Sequence, residues 1–241
     1  MEGIKLEKNI LLFGYGNHGK FIAKGLMEDG FTVQIVESNE TFYLQAMDDG
    51  FKNVLKVDMT KDEDLIALNP KNYSRIVCVM DDEHLNVFLT LSLHSLFDEA
   101  YLIAISDSLH ATQKLYMAGA NKVIDLYEVS ANKIHNILNR PIATELLEEF
   151  VTYKKGIGFK ELLIPEGSFL HGLMTDDIEF SEFDVILVGI LDEELGNNFN
   201  FITAGINHKL DSGDTIVCLG SHKELAKLEM LIKQKEVPKN A

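Results

Sequence analysis

The chain has 241 residues, 46% hydrophobic and 25% charged, which is enough for one large domain or two small ones with a packed core. Its 22 Lys and Arg against 38 Asp and Glu leave a formal net charge of −16, which argues against nucleic-acid backbones and anionic lipid surfaces as partners. No charged-then-apolar leader opens it and no apolar run reaches the ~20 residues of a membrane span, so a cytoplasmic chain that does not itself enter the membrane is expected.

The first apolar run, Ile10-Leu-Leu-Phe13, drives into Gly14-Tyr15-Gly16-Asn17-His18-Gly19. In a Gly-x-Gly-x-x-Gly loop the first glycine makes the tight turn, the second admits a pyrophosphate and the third lets the next helix pack closely. The free N–H groups at the helix start then face the phosphates. The next apolar run, Phe31–Val36, ends in Glu37, eighteen residues after Gly19. A carboxylate there can accept from both ribose hydroxyls and repels a 2′-phosphate, which favours NAD/NADH or ADP/ATP over NADP. Turn glycines between a strand and a helix are common in themselves. The ordered set of strand, triplet, helix, strand and acid is what points to an adenine nucleotide.

Strands are expected at 9–13, 32–36, 53–57, 75–80, 101–105 and 122–125. Helices are expected near 18–29, 39–49, 61–68, 83–97 and 108–118. Alternation of this kind predicts an α/β fold, a Rossmann-like doubly wound parallel sheet with helical crossovers. Thr60-x-x-Glu63 reads as a capping box, and Gly119 in Ala118-Gly119-Ala120 as a helix C-cap. Acids and a serine close the strands: Glu37, Asp58, Asp81-Asp82-Glu83 and Ser106-Asp107. Ligands bind at the carboxyl ends of such strands, so Asp58, with its neighbour Met59, and Asp81 join the candidate nucleotide contacts. Helix N-capping explains Asp81, Ser106 and Asp107 equally well.

Residues 129–154 read as a helix pair interrupted at Arg140-Pro141, the second member carrying Leu146, Leu147, Phe150 and Val151 as an apolar stripe. Lys154–Gly158 reads as a hinge. Beyond it come strands within 162–168, 184–191 and 211–219, then a helix opened by the capping box Ser221-x-x-Glu224, and a polar tail from Gln234 expected to fray. The expected organisation is a nucleotide-binding lobe over 1–128, a helical crossover and hinge over 129–158, and a small α+β lobe over 159–241. Cys78 and Cys218 sit in apolar runs and read as buried free thiols.

No catalytic constellation is evident. None of the eight histidines stands in a His-x-x-x-His spacing or a paired His–carboxylate motif, and Ser168 and Ser221 lack the second glycine of a nucleophile elbow. A small NAD-dependent oxidoreductase is the alternative that the glycine loop supports equally.

Taken in order, Asn9–Gly19, Val36-Glu37, Val57-Asp58-Met59-Thr60, Asp81–Asn86, Met117–Ile124, Ile164–Gly172 and Leu210–Ile216 resemble the RCK family, the regulators of potassium conductance that include the cytoplasmic subunits of Trk/Ktr-type uptake systems. The resemblance implies a regulatory role without turnover. It also implies homodimers formed through the first lobe and a swapped helix pair, assembled into an octameric ring beneath a membrane-embedded potassium pore. The Pro141-split pair matches that crossover, giving its stripe a second role as dimer interface. Ktr-like members often carry Arg and Phe inside the glycine loop, where Asn17 and His18 stand here, so the extra charge of ATP lacks an obvious partner. Calcium-gated relatives place carboxylates at the ends of the fourth and fifth strands. Here Met80, Ile105 and Asp107 occupy those positions, which removes that calcium site and leaves Asp81, Asp82 and Glu83 as the group for a different divalent cation.

Overall fold

A computed structural model describes residues 8–152, 156–194, 196, 199–202 and 207–235. The chain divides into two compact units between His135 and Asn136.

The first unit alternates strands and helices: β1 (Asn9–Phe13), α1 (Gly19–Glu28), β2 (Thr32–Glu37), α2 (Glu40–Asp48), β3 (Val54–Lys56), α3 (Asp62–Ala67), β4 (Arg75–Cys78), α4 (Glu83–Leu96), β5 (Leu102–Ser106), α5 (Leu109–Met117) and β6 (Lys122–Asp125). The six strands pair in parallel in the order β3-β2-β1-β4-β5-β6. That is the Rossmann order, and it reverses between β1 and β4. Successive side chains of β1 enter opposite layers. Leu11 and Phe13 pack with Cys78, Leu89 and Leu93, while Ile10 and Leu12 pack with Ile35, Val77 and Val79. Burial on both faces is why the strand reads as a continuous apolar run.

Local capping sets the helix starts. Asn39 accepts from the N–H groups of Thr41 and Phe42, Asp82 from those of His84 and Leu85, and Ser108 from that of Ala111. The expected Thr60-x-x-Glu63 box does not form. The Thr60 hydroxyl and N–H both donate to Asp58, and α3 opens at Asp62 with no side-chain cap. At the end of α5, Gly119 and Ala120 donate to the carbonyls of Tyr116 and Leu115, closing the helix as expected.

Helix α6 (Leu126–Asn139) starts earlier than its apolar pattern suggests, because Asp125 accepts from the N–H groups of Tyr127 and Glu128. None of its side chains is buried. Helix α7 (Pro141–Thr152) begins at Pro141, as the break predicts.

The second unit carries the antiparallel sheet β7-β10-β8-β9, from β7 (Ile157–Leu163), β8 (Val185–Leu191), β9 (Phe199–Phe201) and β10 (Thr215–Ser221), followed by α8 (His222–Leu231). Burial alternates along β10, whose Ile216 and Cys218 meet Leu162, Ile190, Leu225 and Leu228. Ser221 caps α8 by accepting from the Glu224 N–H at 3.3 Å. Ile157 and Gly158 pair with Ser221 and Gly220 as the first residues of β7 and are not hinge. Lys154 and Lys155 lie outside the described residues. Gln234 is held at both backbone groups, donating to Leu231 and accepting from Phe169, so the polar tail is fixed at its start, while 236–241 lie outside the described residues. Among the described residues no helix is long and apolar enough to cross a membrane.

Candidate nucleotide site

The loop after β1 meets the turns after β2 and β4 at the point where the strand order reverses. Gly14 has φ +102°, and a Cβ there would lie 3.0 Å from the Met80 N and the Val79 O. A Cβ at Gly19 would overlap the Gly14 carbonyl, so α1 starts against the back of its own loop. A Cβ at Gly16 would overlap the Asp81 carboxylate. The crevice between these turns has a volume of about 210 Å³ and is walled by Gly14, Gly16, Glu37, Asn39, Phe42 and Asp81 among others, with no basic side chain among the described residues.

Glu37 is 1% exposed. Its Oε2 accepts from the Tyr15 N–H at 2.7 Å, and its Oε1 from the N–H groups of Ser38 and Asn39, each at 2.8 Å. A buried carboxylate is tolerated because these three donors replace water. Asp81 is held differently. It accepts from the Asn17 N–H at 3.1 and 3.2 Å and from the Asn17 side-chain amide at 3.2 Å, while His18 Nδ1 stands 3.8 Å away. Asn86 fixes the turn that carries it. The Asn86 Oδ1 accepts from the Met80 N–H at 2.9 Å, its Nδ2 donates to the Met80 carbonyl at 3.0 Å, and a longer 3.5 Å bond reaches the Ile105 carbonyl.

The ten candidate residues fall into two groups. Gly14, Gly16, Asn17, His18, Glu37 and Asp81 gather around the loop, with Gly19 behind them. Tyr15 contributes only its backbone. Its ring is fully buried against Phe51 and its hydroxyl donates to Asp49 at 2.8 Å. Burial first, and then the Asp49 carboxylate, push that phenol's pKa upward. Met59 is a core side chain at 1% exposure. Asp58 is exposed, and its carboxyl is held below the usual range mainly by its bonds from Thr60, with Lys61 at 3.2 Å adding to the effect. Neither Asp58 nor Met59 lines the crevice.

Asn39, Phe42 and Asn86 were not singled out as contacts by sequence reasoning. The N-cap signature of an Asn two residues after Glu37 was the available signal for Asn39. The three consecutive acids do not form one cation site. Asp81 faces the glycine loop, Asp82 caps α4, and Glu83 accepts from the Ser108 hydroxyl at 3.0 Å. Among the described residues no three His, Cys, Asp or Glu side chains converge as metal ligands. In the second unit, folding makes a His–carboxylate pair that the sequence spacing hid. His208 Nε2 lies 3.0 Å from Asp192 Oδ2, within ion-pair distance, though its angles fall outside hydrogen-bond geometry.

The family model of the TrkA-N domain matches residues 10–126, from the second residue of β1 to the first of α6. The match spans just under half of the chain. Over 96% of its length it is 24% identical to Probable potassium channel protein 2 of Methanocaldococcus jannaschii, covering 68% of that protein. Among solved structures, the TrkA-N domain of the inner membrane protein ybaL from Escherichia coli aligns with 56% of this chain and 99% of its own, at 15% identity and TM-score 0.50. A structure described as the GsuK channel bound to NAD aligns with 93% of this chain and 38% of its own, at 19% identity and TM-score 0.47. The TrkA-N segment thus holds the glycine loop, Glu37 and Asp81.

Proposed function

We propose that this chain is a cytoplasmic regulatory module that binds an adenine nucleotide and couples its occupancy to a membrane-embedded potassium pore. The observation that carries this reading is the convergence of the Gly14–Gly19 loop and buried Glu37 on one crevice at the strand-order reversal. The potassium channel relative supports the pore as partner.

In this reading the pyrophosphate lies over Gly16 and the N–H groups of Asn17 and His18, and a ribose hydroxyl donates to Glu37. NAD or NADH is the favoured nucleotide, with ADP or ATP next, because among the described residues no basic side chain lines the crevice to meet the extra charge of ATP. The module needs no turnover: a nucleotide that binds one conformer better than another shifts the balance between them. Assembly is as a homodimer and then an octameric ring. The apolar surface left on α6 and α7, including Ile134, Leu138, Ile142 and Leu147, supports a helix-pair interface with a second copy.

The test pairs mass spectrometry of the small molecule that copurifies with a Glu37→Ala variant. An adenine nucleotide present in the wild type and lost from the variant is the expected result. Retention in the variant removes Glu37 from the site. A chain whose thermal stability is unmoved by NAD, ADP and ATP, and whose cognate pore passes potassium identically with and without them, is not a nucleotide-gated regulator.

A further inference from the structure

The glycine loop is already occupied by an anion from the chain itself. The Asp81 carboxylate accepts from the Asn17 N–H with both oxygens, and it fills the space above Gly16 that a Cβ would otherwise enter. This is the place and the chemistry of a phosphate at a helix N-terminus. Helix α1 supplies no competing group: it has no side-chain cap of its own and no acid in its first turn. Capping of α4 does not account for Asp81 either, because the next residue, Asp82, performs it. The Asn86 side chain grips both backbone groups of Met80 and so holds the turn that aims Asp81 across the sheet. The crevice left beside it, about 210 Å³, is below the roughly 300–1,000 Å³ of ordinary ligand pockets.

We propose that Asp81 is a built-in competitor for the nucleotide's diphosphate: it bridges the β1–α1 loop to the β4–α4 turn, and it must leave before the diphosphate can bind. The inference rests on the nucleotide reading above and adds to it a reason for the site to have two states. In the structure residues 17 and 81, sixty-four positions apart, are tied together. With diphosphate bound, two like charges cannot share the Asn17 N–H, so the tie breaks and the β4–α4 turn is released from the loop. Binding and the separation of these two segments are then one event, which gives the ligand its differential affinity for two conformers.

The experiment is calorimetric titration of the full chain with NAD and with ADP, comparing the wild type with Asp81→Asn and Asp81→Ala. Asp98→Asn, an exposed acid beyond α4, controls for the loss of one negative charge. Removing a charged hydrogen-bonding competitor should tighten nucleotide binding about tenfold in both Asp81 variants and leave the control within about twofold of wild type. Hydrogen exchange supplies a second readout: the Asn17 amide should be protected in the empty wild type and lose that protection in Asp81→Ala. Binding that is unchanged or weaker in both Asp81 variants overturns the competitor and leaves the nucleotide site standing, with Asp81 acting as a cap or a ligand contact. An absence of binding by wild type and variants alike, up to millimolar nucleotide, overturns the nucleotide reading and the competitor with it.

Discussion

The parallel sheet of the first unit is packed on both faces, whereas the antiparallel sheet of the second alternates buried and partly exposed residues along β10. In the parallel sheet every strand ends on the same edge, so turns from positions 14–19, 37–39 and 80–86 collect there. In the antiparallel sheet neighbouring strands end on opposite edges. The polar pairs of the second unit, such as Lys160–Glu229 and Lys209–Asp211, are spread over strand and loop surfaces. Architecture alone therefore concentrates backbone N–H groups and carboxylates in one unit and disperses them in the other.

The sharpest way to break this contrast is to add a methyl to one glycine in each unit. Gly19→Ala forces a methyl into the Gly14 carbonyl and should cost ~3 kcal/mol or more. Gly220→Ala meets first a Val185 methyl at 3.0 Å, a side chain that can turn aside, and should cost only ~1 kcal/mol. Urea unfolding of both variants checks the pair, and equal losses would mean that the loop is no tighter than the antiparallel sheet.

Asn86→Ala comes next. It strips the partners from two Met80 backbone groups and should cost ~2 kcal/mol in the same assay. Its counterpart in the second unit, Ser221→Ala, removes a solvent-reachable cap and should cost ~1 kcal/mol. The smallest expected response is chemical. Burial pushes the Cys78 and Cys218 thiols up to about 12, so both stay protonated at pH 8. Neither should react with a thiol reagent until the chain is unfolded. Early labelling of one would show which unit opens first.

The framework of the first unit was legible because each of its strands is an apolar run punctuated by a glycine, an acid or a serine. The directions of side chains were not. Position 15 lies within the fingerprint, yet its ring turns into the core because Phe51 and Asp49 offer an apolar face and an acceptor there. The Thr60 hydroxyl looked free to cap α3 but is spent on Asp58, two residues back. The Asn17–Asp81 contact was beyond any local pattern, since only the parallel crossover brings those turns together. In the second unit β9 escaped notice because Phe-Asn-Phe is too short to display a period.

Glu37 carries a consequence for selectivity. A carboxylate offers about four acceptor positions, and three of those on Glu37 are already taken by the N–H groups of Tyr15, Ser38 and Asn39. On the proposed reading it meets the ligand preorganised, with its rotamer fixed and its desolvation complete before the ribose arrives. The same saturation leaves room for one hydroxyl donor and not two. A deoxyribose that keeps that one hydroxyl should bind almost as well as the parent sugar, and its isomer lacking that hydroxyl should not.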